Sequence, residues 1–406
     1  KKIVELLLKH KDIDVNKVPI KGGVTPLIIA ALKGHKKIVE LLLKHKDIDV
    51  NKVPIKGGVT PLIIAALKGH KKIVELLLKH KDIDVKKKEP LAMASKRGRT
   101  KIVKLLLERE DIDVNKGGPL ANASSGGHTE IVKLLLKHPK IDVNKNSPLY
   151  SASKIGHKKI VELLLKHKDI DVNKVSIGGG VTPLIMTAAK GYKKIVELLL
   201  KHKDIDINRH GFLGITPLAS TALKKKGNIE IVKLLLDRKD IDVNKGNPLA
   251  IASEKGHIKI VKLLLDRKDI DVNKTDNKDM TPLANASKYG YPEIVKLLLR
   301  HKDIDVNKMF FDIYRNIQTA LVKATTYGHT EIVKLLLKHK NIDVNKGNPL
   351  HIASSNGHKE IVELLLKHPK IDATINDKYF KTALDVAKTE EIKKLIRDHL
   401  QKRKKK

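Results

Sequence analysis

Residues 1–35, KKIVELLLKHKDIDVNKVPIKGGVTPLIIAALKGH, return letter for letter as residues 36–70, and a third copy opens at Lys71 and departs from the pattern at Lys86. A period of this length marks one supersecondary unit, too small to bury its apolar side alone and stable only against neighbours. The chain therefore reads as one elongated array, although its 406 residues would otherwise suggest two or three globular domains. Function is expected on the surface that stacking creates.

Outward from that stretch, the core I-V-x-L-L-L starts at residues 3, 38, 73, 102, 131, 160, 195, 231, 260, 294, 332 and 361, with a degenerate copy at Ile392. Within Lys37–Lys44 the apolar positions 38, 39, 41, 42 and 43 form a stripe wide enough for a helix held between two others. A first helix precedes it. Thr25 is a good N-cap, Pro26 suits the first helical position, Ala30 and Ala31 permit close approach, and Gly34 supplies a left-handed stop. Twelve such first helices are expected, beginning at Pro26, Pro61, Pro90, Pro119, Pro148, Pro183, Pro217, Pro248, Pro282, Ala320, Pro349 and Ala383.

The combined pattern T-P-L-x-x-A-x-x-x-G-H-x-x-I-V-x-L-L-L closely resembles the ankyrin repeat, from the first residue to about Leu400. The resemblance implies an all-α repeat solenoid of stacked antiparallel helix pairs, each pair joined to the next by a projecting β-hairpin finger. Fingers are expected at seven of twelve junctions. From Asn16 to Thr25 is nine steps, whereas Asn115 to Gly118 is three, and the junctions before Pro90, Pro119, Pro148, Pro248 and Pro349 are all short. A fingerless stretch is expected at about residues 85–150, and short units often keep a capping residue before the proline, as at Ser147, Asn247 and Asn348. The family's usual His after Pro-Leu occurs only as His351.

The array spans 1–380 and opens in mid-repeat without Met, which reads as a fragment with its Ile3–Leu8 helix bare. Residues 381–400 read as a capping repeat, a TALDVAK helix followed by a helix carrying Glu390, Glu391, Lys393, Lys394, Arg397 and Asp398. Residues 401–406 are a basic tail, a candidate nuclear-targeting or phosphate-binding patch and otherwise a solvated end.

Lys and Arg outnumber Asp and Glu by 37, enough for a strongly positive field. Most of this excess is multiplied by copying: in 36–70, seven lysines oppose Glu40, Asp47 and Asp49. Cysteine is absent, which excludes disulfides, thiolate catalysis and cysteine-based zinc sites. No apolar run is long enough for a membrane span, and no signal peptide is visible.

The D-I-D-V-N segments match three positions of a calcium loop. They lack its turn glycine and its bidentate Glu, since Lys52 and Gly58 stand there. Histidines such as His35 and His45 recur on different layers, so capping or loop bonding is favoured over metal ligation. Nothing resembles a nucleophile–base pair, a phosphate loop or a carboxylate dyad, so neither an enzyme nor a cofactor is expected.

The resemblance places the positions between the first-helix Ala and Gly on a concave groove that carries contacts. Here these are Leu32 and Lys33, Leu67 and Lys68, Lys96 and Arg97, Lys154, Lys190, and an expansion at Lys224, Lys225 and Lys226. Toward the C-terminus they become Lys288 and Tyr289, then Tyr327. A second signal is the longest junction, Asn307 to Thr319, with Met309, Phe310, Phe311 and Tyr314; Phe212 occupies another finger. Phe and Tyr are favoured interface anchors.

Two readings follow: a non-catalytic scaffold whose groove and fingers engage acidic proteins, or an electrostatic binder of nucleic acid or anionic membrane. An aromatic content of 3% opposes a base-stacking binder. A third reading is the ankyrin array of a larger enzyme or channel. An intracellular setting, cytoplasmic or nuclear, is expected.

Overall fold

The computed structural model describes residues 1–18, 23–54, 58–176, 178–224, 227–377 and 379–404. Thirteen second helices run from Lys2–Leu7 to Glu390–Lys404, and eleven first helices from Pro26–Lys33 to Pro349–Asn356. The fold is an all-α repeat solenoid. By its contacts the chain divides into two units, Lys1–Thr187 with Lys194–Ile205, and Ala188–Lys193 with Asp206–Lys406.

Local chemistry explains each element. Thr25 Oγ1 accepts a hydrogen bond from Ile28 N at 3.3 Å, Pro26 occupies the first turn, and Gly34 at φ 78° ends the helix. Thr60 and Gly69 repeat the arrangement in the identical copy, with the same 3.3 Å cap from Ile63 N. The second helix then buries Val39 and Leu42, and Val50 of the following loop closes the layer beneath them. Each such Leu is worth about 2–5 kcal/mol against Ala.

Consecutive layers are tied by an asparagine clamp. Asn51 Nδ2 donates to Asp82 O at 2.6 Å while its Oδ1 accepts from Asp84 N at 2.9 Å. Asn115, Asn144, Asn244, Asn273, Asn307 and Asn345 make the same pair of bonds to the next layer. The second carboxylate of D-I-D-V-N is engaged locally, Asp49 Oδ1 accepting from Asn51 N at 2.9 Å. At Lys86 the asparagine is missing, and the clamp with it.

Several expectations are corrected. A two-stranded ladder forms at one junction only among the described residues, Phe310–Phe311 against Ile317–Gln318. Four other long junctions close on a backbone bond from Ser176, Gly211, Asp276 and Asp377 N to Val181, Ile215, Met280 and Lys381 O, and the last three add a bond from Gly214, Asp279 and Phe380 N to Gly211, Asp276 and Asp377 O. The tips of the first two, 19–22 and 55–57, lie outside the described residues. Ser147, Asn247 and Asn348 make no side-chain cap; they stand at φ 52°, 55° and 56°. Each short junction turns through two consecutive left-handed residues: Lys88–Glu89, Gly117–Gly118, Asn146–Ser147, Gly246–Asn247 and Gly347–Asn348.

The TALDVAK segment is a turn. Asp385 accepts from both Thr382 N and Thr382 Oγ1 at 2.7 Å, and Lys388 N leaves the helical path to donate to Ser354 O at 3.0 Å. The basic tail is helical as far as Lys404, and Arg403 Nη2 donates to Pro369 O at 2.9 Å.

Candidate functional site

In the first unit the groove positions have a fixed backbone and free charged heads. The Leu32, Leu67 and Lys96 carbonyls accept from His70 Nε2 at 3.2 Å, Arg99 Nε at 3.4 Å and His128 Nε2 at 3.2 Å, respectively. Leu32 and Leu67 are half-buried, while Lys33, Lys68, Lys96, Arg97 and Lys154 are exposed. None of these five cations is ion-paired among the described residues. On the second helices the opposite holds, with Lys36–Glu40 at 3.0 Å, Lys71–Glu75 at 2.8 Å and Lys158–Glu162 at 3.1 Å. The repeat thus neutralises part of its charge on one helix and leaves it bare on the other.

The second unit gathers aromatic groups. Lys288 Nζ lies 5.1 Å from the Tyr289 ring centre and 5.9 Å from that of Tyr327. Tyr327 stacks on His329 at 6.4 Å, and His329 Nε2 bonds Lys288 O at 3.1 Å, so both ends of Lys288 are held. Lys190 and Lys224 are exposed. The helix at Pro217–Ser220 is a single turn, and Lys225 and Lys226 lie outside the described residues.

The 307–319 finger is organised by Asp312. One carboxylate oxygen accepts from Tyr314 N and Asn316 N at 2.9 and 2.8 Å, the other from Asn316 Nδ2 and Gln318 Nε2 at 3.0 and 3.1 Å. Partial burial works to raise the Asp312 pKa. The bonds from Asn316 and Tyr314, with the Lys323 charge, overcome it and hold the group below its ordinary value. Burial lowers the Lys323 pKa, and Lys288 adds to the effect against the attraction of Asp312.

The two phenylalanines of the finger have opposite fates. Phe310 is only 7% exposed, packed with Met280 and Ala284 beneath Lys323 Nζ at 5.4 Å from its ring centre. As a surface contact it is corrected: it belongs to the core. Phe311, next along the strand, faces outward at 57%, with Met309, Ile313 and Tyr314 also exposed. Phe212 is 74% exposed on the turn Phe212–Gly214. Sequence reasoning missed a further pair, Tyr379 and Phe380, the latter 88% exposed at the tip of the 374–382 junction. The signal was available, because all four Phe of the chain lie in such junctions.

A family model described as ankyrin repeats (3 copies) matches residues 1–54, 51–117, 91–176, 169–247, 222–310 and 311–378. The chain is an ankyrin-repeat protein. Ankyrin repeats are in general protein–protein interaction modules. A comparison with curated protein sequences finds no significant match.

Proposed function

We propose that this chain is a non-catalytic scaffold that binds a protein partner through the aromatic finger tips of its second unit and the Lys288–Tyr289–Tyr327 patch. The bare cations of the first unit, together with Lys190 and Lys224, steer acidic partners. The observation that carries the reading is the contrast within one finger: Phe310 is buried by register, so the exposure of Phe311 beside it is a property of the fold. Apolar residues left bare on several tips mark contact surface. No helix among the described residues is long and apolar enough to cross a membrane, and an intracellular setting fits the reading.

The test is a purified partner, obtained by affinity capture, titrated against Phe311→Ser and Phe380→Ser. Each should weaken binding by about 2 kcal/mol, roughly thirtyfold, at unchanged melting temperature. Unchanged affinity in both variants overturns the assignment. The rival reading, an anionic polymer or surface held by net charge, requires affinity that falls steeply with salt for any nucleic acid or acidic vesicle tested.

A further inference from the structure

Where one finger is missing between two retained ones, a slot opens, and the second unit has this arrangement twice. One slot of about 420 Å³ lies over Gly246–Asn247, between the 208–216 and 273–281 junctions. The other, about 490 Å³, lies over Gly347–Asn348, between 307–319 and 374–382. Beside the short junction at Lys88–Glu89, which is followed by another short one, the cavity between Val85 and Lys116 holds about 10 Å³.

The walls of the first slot are fixed. Asn277 Nδ2 donates to Leu213 O at 3.2 Å, linking the flanking tips, and Thr216 Oγ1 donates to Lys245 O at 3.0 Å. A side chain at Gly246 would begin 3.0 Å from Gly214 O, so the short junction lies directly against the preceding finger. Ile251 forms the apolar floor.

The charges in the slot are unequal. Asp276 is occupied by Asn285 Nδ2 at 2.8 Å and by the Lys278 and Met280 N–H groups, and Glu254 pairs with Lys255 at 3.0 Å. Lys245, Lys274 and Lys278 have no ion pair among the described residues, yet all three line the space. The second slot has the same floor in Ile352 but no lysine; its cation is Arg315, and Asp377 there is occupied by the Tyr379 and Lys381 N–H groups at 2.8 and 3.0 Å.

We infer that the slot over Gly246–Asn247 anchors a glutamate side chain of an extended segment of a protein partner. The carboxylate sits among Lys245, Lys274 and Lys278, and the methylene stem lies on Ile251. The inference takes from the proposed function only that the partner is a protein, and its test needs no partner.

With isoleucine δ1 methyl groups labelled, the whole chain is titrated with acetyl-Leu-Glu-Leu-amide and, separately, acetyl-Leu-Gln-Leu-amide. The Ile251 methyl signal should shift at concentrations about tenfold lower for the glutamate peptide, while Ile352 stays still. In Lys274→Gln/Lys278→Gln the preference should vanish with melting unchanged. Equal response to both peptides, no Ile251 shift up to about 10 mM, a preference that survives the double variant, or Ile352 moving with Ile251 would each overturn the inference. Any of these leaves the Phe311→Ser and Phe380→Ser result standing, so the two readings fail separately.

Discussion

Lys88 and Glu89 hold φ of 59° and 62°, a region that Gly and Asn tolerate and other side chains enter at a penalty. The equivalent positions elsewhere are Gly-Gly, Asn-Ser and Gly-Asn, so the K-E junction alone has neither Gly nor Asn at either position. Lys88→Gly and Glu89→Gly should each stabilise the first unit by about 1 kcal/mol, read from the denaturant midpoint. Phe380 is in the same conformation at φ 59°, but at an exposed tip. Phe380→Gly should raise stability by about 1 kcal/mol while weakening partner binding, the opposing signs expected where strain serves a contact. Phe310→Ser should destabilise by about 3 kcal/mol, in contrast with the neutral melting of Phe311→Ser. No pattern in the sequence distinguishes these two neighbours. A two-residue strand has no alternation to read, and which face turns inward depends on Met280 and Ala284, which lie well before the finger in the chain.

At the scale of elements, helix positions and caps were legible because they rest on local chemistry repeated many times: Thr-Pro starts, Gly stops and the I-V-x-L-L-L stripe. What escaped the sequence depends on contacts between layers. The TALDVAK segment has good helical composition, yet Lys388 N bonds Ser354 O and the chain is drawn away after one turn. The asparagine clamp was likewise invisible, since D-I-D-V-N reads as a loop until the next layer's Asp N–H and C=O are placed beside it. Its one internal gap suggests an improvement: Lys86→Asn should restore two bonds to the Asp111–Asp113 loop and stabilise by about 1–2 kcal/mol, measured by chemical denaturation. Three layers carry a bidentate pair instead of histidine in the preceding turn, Arg109–Asp111, Arg238–Asp240 and Arg267–Asp269. The arginine hydrogen bonds depress each aspartate pKa against the opposing effect of burial. A depressed carboxylate contributes stability that is present above its unfolded pKa and is lost as pH falls through the folded one. Being exposed, each pair is worth at most about 1 kcal/mol, so replacing the three arginines by Gln should cost little at pH 7, and the ion-pair part of that cost should vanish once the pH has fallen below the depressed aspartate pKa values.

For the whole molecule, stacked layers touch only their neighbours, so unfolding should be graded. The Lys2–Leu7 helix buries no residue, whereas Ile102, Val103 and Leu106 are all buried. Hydrogen exchange should therefore be fastest at Lys2–Leu7 and slow across Thr100–Leu107; uniform protection would contradict it.

The identical units 1–35 and 36–70 carry identical caps and stops, with Lys36 following His35 as Lys71 follows His70. Removing 36–70 would leave His35 joined to Lys71 and every local sequence unchanged. Thr25 would cap the same helix, and Asn16 would meet the Asp82–Asp84 loop in place of Asp47–Asp49. A chain lengthened or shortened here by one whole unit would thus contain no unfamiliar packing contact. The number of layers ahead of Lys86 can change without any new interface having to be fitted.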